Sequence, residues 1–291
     1  MPLGSDFRIA VLPGDGIGIE VMNACLEVLE ALAGKSGQPR FAWHQLAGGA
    51  IAYRDTGTAL SEETMKALGS ADAILFGAMG MPDIRYPDGT EIAPQLDIRI
   101  EYELYAGVRP IRALPGAAGP LRDPRSAQID FVILREQTEG LYYSRGRGVM
   151  QDADTALNLL LKPWDFDVIV TENMFGDILS DLAAGLIGGM GFAPSGDIGE
   201  RHGMFQPCHG TAPDIAGTGK ANPTAMFLSA AMMLDWLGDQ HGIERLSEAA
   251  KMLEDAVRNA FSRKSLRPFE FGGSDGTVAI TRAVLAELTS V

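Results

Sequence analysis

The chain has 291 residues, of which 46% are hydrophobic and 21% charged, enough to bury a substantial core in one large or two modest domains. A formal net charge of −14 argues against nucleic acid or an anionic membrane as a partner, so an anionic ligand would need locally clustered arginines. The chain has two cysteines, no apolar run of membrane-spanning length and no secretory leader. We therefore expect a cytoplasmic protein.

The order of apolar segments predicts strands that alternate with helices. Residues 7–12 predict a buried strand, and residues 20–33 carry apolar side chains at helical spacing. Further buried strands are expected in ADAILFGA, DFVILRE and FDVIVTEN, and further helices at 62–68, 177–186, 224–237, 244–261 and 278–288. This alternation indicates an α/β fold, not an all-β fold or a helix bundle.

The glycine-rich stretch VLPGDGIGIE joins the first strand to the first helix. A dinucleotide-binding turn requires glycine at its first, third and sixth positions, but Gly14 and Gly16 are followed at the sixth position by Ile19. Taken alone, these glycines predict only a tight turn.

Two aspartates punctuate the apolar helix NMFGDILSDLAAG. Asp177 and Asp181 are four residues apart, so they share one helix face, where like charges are destabilising unless something neutralises them. A hard divalent cation such as Mg²⁺ or Mn²⁺ accepts carboxylate oxygens and would do so. A solvated helix face explains the same pattern, and at this point the two interpretations are equally open.

Three arginines lie in the segments LDIRIEYELYAGVRP and ILREQTEGLYYS. Guanidinium groups bind carboxylates through paired hydrogen bonds, so Arg99, Arg109 and Arg135 would hold a diacid if they converged. Tyr142 follows the last of them and is a candidate proton donor. A single arginine is more often a surface ion-pair partner, however, and such a tyrosine is more often a packed ring.

Four motifs occur together in this order: LPGDGIG, REQTEGLYY, TENMFGDILSD and HGTAPDIAGTGKANP. Through nearly its whole length the chain resembles the β-decarboxylating dehydrogenases, the family of 3-isopropylmalate, isocitrate, tartrate and D-malate dehydrogenases, and it is most similar to the isopropylmalate dehydrogenase-like members. The resemblance implies a two-domain α/β fold that is not a Rossmann fold. Residues 1–104 and 189–291 would form the cofactor-binding domain, and residues 105–188 the central domain for substrate, metal and dimerisation.

The resemblance also implies a role for individual residues. Arg99, Arg109 and Arg135 would bind the substrate carboxylates, Asp177 and Asp181 would ligate Mg²⁺ or Mn²⁺, and Tyr142 would protonate the carbon left after decarboxylation. Ile17 would lie beside the nicotinamide. The adenosine half would lie on the segment 209–222, with contacts from His209, Gly210, Asp214, Ile215 and Asn222.

The expected activity is the oxidative decarboxylation of a 2-hydroxy diacid by a metal-dependent homodimer that uses NAD. Asp214 and Ile215 stand where NADP-dependent family members carry Lys and Tyr, and a carboxylate there would repel a 2′-phosphate. The substrate is expected to be 3-isopropylmalate-like, with tartrate and D-malate as alternatives. The positions that receive the branched alkyl group in isopropylmalate enzymes are Gln95 and Leu96, so half of that pocket is polar.

A stretch that family members carry is missing near residue 150. It holds a DKAN motif, whose lysine would deprotonate the substrate hydroxyl across the dimer, and much of the arm that clasps the partner subunit. Lys162 does not match that lysine, and neither Asp152 nor Asp154 aligns cleanly with a third metal carboxylate. Either a longer chain contains the stretch, which the intact site motifs favour, or a true deletion leaves a protein that binds nucleotide and diacid without catalysis.

Overall fold

The computed structural model describes residues 7–35, 40–117, 119–137, 154–264 and 266–289. The strands are β1 (Phe7–Leu12), β2 (Phe41–Gln45), β3 (Ala73–Phe76), β4 (Ala106–Arg112), β5 (Asp130–Glu136), β6 (Val168–Thr171), β7 (Pro194–Ile198) and β8 (Gly203–Pro207). The α-helices are α1 (Ile17–Ala33), α2 (Ala50–Thr56), α3 (Glu62–Gly69), α4 (Pro94–Glu101), α5 (Asp154–Leu161), α6 (Asn173–Ile187), α7 (Thr224–His241), α8 (Glu244–Lys264) and α9 (Thr277–Thr289).

Within the described residues, all these strands form one mixed sheet in the order β2-β1-β3-β8-β7-β4-β5-β6. Strands β2, β1, β3 and β8 are parallel, whereas β7 is antiparallel to both of its neighbours, β8 and β4. Strand β4 is antiparallel to β5, and β5 is parallel to β6. The sheet therefore runs through both predicted domains, and the β7–β4 pair joins them.

Helices cover both faces of the first half of the sheet, which explains its apolar strands. On one side α1, α7, α8 and α9 form the main core with side chains such as Val11 and Phe205. On the other side α3 and α4 contribute Leu68 and Ile98 to a smaller cluster with Phe76. In the second half, α6 packs on β4 and β5. The expected α/β architecture is confirmed.

Strand β4 contains a proline although it has a neighbour on each side. Strand β7 pairs only with Ala106, Gly107 and Val108, so Pro110 lies beyond that pairing. Its partner in β5 is Val132. Because proline has no N–H to donate, it is tolerated where one side of the strand is already open. Among the described helices, none combines the length and the apolar character that crossing a bilayer requires.

Candidate active site

A cleft of about 1500 Å³ opens between the two halves of the sheet. Helix α4 contributes Arg99 to its wall, β4 contributes Arg109, and β5 contributes Arg135. The cleft thus brings together residues from both predicted domains. Of the predicted site residues, those that line it are Arg99, Arg109, Arg135, Asp177, His209 and Gly210.

Arg135 is held at the end of β5 by helix α6. Its Nε donates to Asn173 Oδ1 at 2.8 Å, and its Nη1 donates to Asp177 Oδ1 at 2.5 Å. A Cβ at Gly176 would lie 2.8 Å from Arg135 Cγ, so glycine lets the helix pack directly over the arginine. Burial lowers the pKa of the Arg135 guanidinium, and the neighbouring Arg109 lowers it further.

Arg109 is buried on the adjacent strand, β4. Its Nη1 donates to Ser180 Oγ at 2.6 Å and lies 3.6 Å from Asp177 Oδ1 and 3.9 Å from Asp181 Oδ1. Its Nε is buried with no hydrogen-bond partner among the described residues. A buried guanidinium with an unused donor is suited to an incoming anion.

Asp177 and Asp181 do share one face of α6, as predicted, because both lie within 4 Å of the same Arg109 nitrogen. Burial raises the pKa of the Asp181 carboxyl, and the negative charge of Asp177 raises it further. Two half-exposed carboxylates with this mutual repulsion are oxygen donors that fit a divalent cation.

The described residues contain no group of three metal-ligating side chains. Two aspartates would fill only part of the coordination shell of Mg²⁺ or Mn²⁺, so the remaining ligands would be water, substrate or other side chains. The candidates Asp152 and Tyr142, and the side chain of Asp154, lie outside the described residues.

Ile17, which was predicted to lie beside the nicotinamide, follows directly after the glycine loop. The N–H of Ile17 donates to Thr211 O at 2.8 Å, and a Cβ at Gly16 would lie only 2.1 Å from that oxygen. The side chain of Ile17 is buried in the main core and does not line the cleft. The loop between β1 and α1 is therefore a close-packed junction, which explains its glycines without a pyrophosphate.

Asp15, which the sequence did not single out, anchors this junction. It is completely buried and accepts backbone N–H bonds from Ala50 at 2.7 Å, Ile51 at 2.9 Å and Gly80 at 2.9 Å. The bonds to Ala50 and Ile51 satisfy free N–H groups at the first turn of α2.

The segment after β8 carries the other predicted cofactor residues. His209 Nε2 is buried without a partner among the described residues, and burial lowers the pKa of this imidazole, which favours its neutral form. Asp214 is exposed and Ile215 is half-buried. Asn222 Nδ2 donates to Glu270 Oε1 at 2.7 Å. Asp214, Ile215, Asn222 and Asp181 do not line the cleft.

The three remaining sequence candidates, Gln95, Leu96 and Lys162, occupy contrasting places. Gln95 and Leu96 both line the cleft from α4, where Gln95 Oε1 is buried without a described partner and Leu96 is exposed. Lys162 is exposed and does not line the cleft.

A carboxylate that the sequence did not single out lies behind the cleft. Asp197 on β7 is completely buried, and its Oδ2 accepts a hydrogen bond from Arg99 Nε at 2.9 Å and lies 2.9 Å from Arg99 Nη2 in the same ion pair. Gln206 Nε2 donates to the same oxygen at 2.7 Å, and Gln137 Nε2 donates to Oδ1 at 2.5 Å. Nothing in the local sequence PSGDIGE distinguishes this aspartate from a turn residue.

Comparisons with known proteins identify the family. The family model described as isocitrate/isopropylmalate dehydrogenase matches residues 8–154 and 149–284. The isocitrate/homoisocitrate dehydrogenase of Thermus thermophilus is 36% identical, over 98% of this chain and 99% of the relative. The 3-isopropylmalate dehydrogenase of Methanothermobacter thermautotrophicus is 35% identical, over 97% of this chain and 98% of the relative.

Solved structures show the same fold. The isocitrate dehydrogenase from Methylococcus capsulatus superposes with a TM-score of 0.82 at 26% identity, over 97% of this chain and 99% of that one. The TT0538 protein from Thermus thermophilus gives a TM-score of 0.81 at 28% identity, over 97% of this chain and 68% of that one. The chain belongs to the isocitrate/isopropylmalate dehydrogenase family, and its fold is that of this family.

The chain is nevertheless internally shorter than these relatives. The alignment with the Thermus thermophilus relative extends over 355 residues, more than the 291 of this chain. The family match consists of two parts that overlap at residues 149–154, which is where the motifs indicated a missing stretch.

Proposed function

We propose that the protein catalyses the NAD-dependent, divalent-metal-dependent oxidative decarboxylation of a 2-hydroxy diacid. The observation that carries the proposal is the convergence of Arg99, Arg109 and Arg135 with Asp177 in one cleft. Arginines bind carboxylates, and the aspartate pair offers oxygen ligands to a cation beside them.

The chain's own residues supply binding and orientation. Arg99, Arg109 and Arg135 line the same space and would bind the substrate carboxylates. Asp177 and Asp181 would hold the cation, and Tyr142 is the expected proton donor. When bound, NAD would supply a hydride acceptor and the divalent cation a Lewis acid beside the substrate carboxylates.

NAD is preferred over NADP in this proposal because of Asp214. Its exposed carboxylate can accept a hydrogen bond from a ribose hydroxyl but repels a 2′-phosphate. The neighbouring Ile215 offers no positive charge to offset that repulsion.

The wall of α4 supports a 3-isopropylmalate-like substrate. Leu96 and Ile100 lie four residues apart, are both exposed and both line the cleft, so they form an apolar strip. Gln95 beside them is polar and keeps tartrate and D-malate as alternatives.

A substrate panel on the purified protein tests the proposal. 3-Isopropylmalate, tartrate and D-malate are each supplied with Mg²⁺ and either NAD or NADP, and formation of the reduced cofactor is followed by absorbance. We expect NADH formation with one diacid, a clear preference for NAD and loss of activity in excess EDTA. Activity that survives exhaustive EDTA treatment would refute the metal dependence, and equal kcat/KM for both cofactors would refute the role of Asp214.

A second candidate function is binding of nucleotide and diacid without turnover. It is favoured by the break in the family match at residues 149–154 and by the position of Lys162 outside the cleft. Without a positioned lysine base, general-base catalysis worth about 10²–10⁴-fold would be absent. The intact mass of the purified protein decides between the two. A mass above 31.0 kDa would show that the missing stretch is present and would support the enzyme. A mass of 31.0 kDa, together with ligand binding but no turnover, would support binding alone.

A further inference from the structure

We propose that Asp197 is a specificity-determining residue of the cleft, because its buried charge makes the site complementary to ligands with two carboxylates and unfavourable to ligands with three. The inference deepens the proposed function and rests on it only in treating the cleft as a carboxylate site. Asp197 acts through its neighbours, since it does not itself line the cleft.

The side-chain contacts of Asp197 connect it to residues in the wall of the cleft. All three of its side-chain partners, Arg99, Gln137 and Gln206, line the cleft. Both nitrogens that Arg99 directs toward Asp197 bind a single carboxylate oxygen. Arg99 is therefore fixed in orientation, and only the other edge of its guanidinium is available to a ligand.

The sheet makes room for this arrangement at Gly107. Asp197 is paired with Gly107 across β7 and β4, and Gly107 is paired with Arg135 across β4 and β5, so all three positions share one face. A Cβ at Gly107 would lie 2.2 Å from Gln137 Nε2. The missing side chain lets Gln137 reach over β4 to Asp197, and it leaves little between Asp197 and the arginines.

The charges lead to the specificity. Glu91, Glu101, Glu103, Glu200 and Arg201 also line the cleft, but they are exposed, so water and salt screen their charges. At the arginine cluster, Asp177 and Asp181 would be offset by a divalent cation, which leaves the three guanidinium groups and the carboxylate of Asp197. Their sum is two positive charges, which matches a dicarboxylate. In a site of low dielectric constant an unmatched charge costs more than in water, so a third carboxylate is disfavoured unless it brings its own counter-charge.

The experiment compares two unreactive anions, succinate and tricarballylate, which carry two and three carboxylates. Their dissociation constants are measured by calorimetry at about pH 8, where all of these carboxyl groups are ionised, and at equal free Mg²⁺. Asp197→Asn removes the charge at nearly constant volume. We expect it to shift the ratio of the two constants about tenfold toward tricarballylate, the size expected for one charge several ångströms away in a partly screened site.

Two further variants separate charge from structure. Asp130→Asn is the matched control, since it also removes an aspartate that pairs with an arginine, but at the opposite end of β5 from Arg135. The double variant Asp197→Asn with Gln206→Glu exchanges the acid and the amide and so returns the negative charge. We expect the control to keep the original ratio and the double variant to regain a preference for succinate.

Each outcome is decisive. An unchanged ratio in Asp197→Asn, with succinate still bound, would overturn the role of Asp197 and leave the proposed function standing. If the unmodified protein binds neither anion, the cleft is not a carboxylate site and both proposals fall. Should Asp197→Asn not fold, the double variant decides: a retained preference for succinate supports the inference and a lost one refutes it.

Discussion

At the scale of single residues, Asp181 is positioned to bind a cation, but its negative charge destabilises the folded protein. Its pKa is raised by burial and by Asp177, which means that the ionised carboxylate is less favourable in the folded protein than in the unfolded one. The cost is present at neutral pH and vanishes when pH falls below the usual carboxyl range, because the group is then protonated in both states. Active sites commonly carry such locally unfavourable charges.

We therefore predict that Asp181→Asn raises the Tm of the metal-free protein slightly at pH 7. The gain should shrink as pH falls through the raised pKa of Asp181, because the unmodified protein loses the same charge by protonation. The variant should also lose most of the increase in Tm that Mg²⁺ gives the unmodified protein. Thermal unfolding across pH, with Glu27→Gln on an exposed face of α1 as control, measures this. A lower Tm at every pH would contradict it.

The sequence could reveal Asp177 and Asp181 because their relation is local. A spacing of four in a helix fixes a shared face without any knowledge of the fold. Asp197 differs, since its partners Arg99 and Gln137 are 98 and 60 residues away. Only the order of strands brings them together, so no local pattern could indicate the role of that carboxylate.

At the scale of elements, β6 departs from the sequence expectation. FDVIVTEN predicted a fully buried strand, but only Ile169 and Thr171 are buried, whereas Val168 is 55% exposed and Val170 is 74% exposed. The expectation of a strand is confirmed and that of complete burial is wrong. Helix α6 covers one face of this part of the sheet, and no described residue covers Val168 and Val170 on the other.

The same face continues across β5 and β4, where its side chains are half-buried. The register aligns Pro110 with Val132 and Val168 in one row, and Val108 with Leu134 and Val170 in the next. An apolar strand pattern indicates that a surface is suited to burial, but it cannot tell whether a covering element is present.

We predict that adjacent positions in β6 respond very differently to substitution. Ile169→Ala should destabilise the protein by about 2–4 kcal/mol, because it leaves a cavity under α6. Val170→Thr should change stability by no more than about 0.5 kcal/mol, since its side chain already contacts solvent. Urea denaturation measures both values. A large loss in Val170→Thr would show that another segment packs on this face.

Strands β4 and β7 are strands that the sequence pattern did not predict. Both were missed, because YAGVRPIR and APSGDIG contain proline and glycine, which indicate turns. The structure accommodates them through the short β7–β4 pairing, which spans only three residue pairs. Tertiary pairing has overridden local propensity here.

At the scale of the whole molecule, helices α5 and α6 leave apolar side chains exposed. Leu157 and Leu161 on α5 are 55% and 59% exposed, and Ile178 on α6 is 59% exposed. The two helices contact each other, so these side chains belong to one region of the surface. Clustered apolar exposure of this kind marks interaction surfaces.

The family resemblance implies a homodimer. If this region is the dimer interface, Ile178→Asp places a charge in a desolvated contact and should convert a dimer into a monomer. Light scattering coupled to gel filtration measures the mass. Val278→Asp on α9 is the matched control, because Val278 is also 59% exposed but lies on another helix.

Since Ile178 lies next to Asp177, the monomer should also bind Mg²⁺ more weakly if the partner completes the ligand set. An unmodified protein that is monomeric at assay concentration would contradict the proposed dimer. A dimer that survives Ile178→Asp would place its interface away from α6.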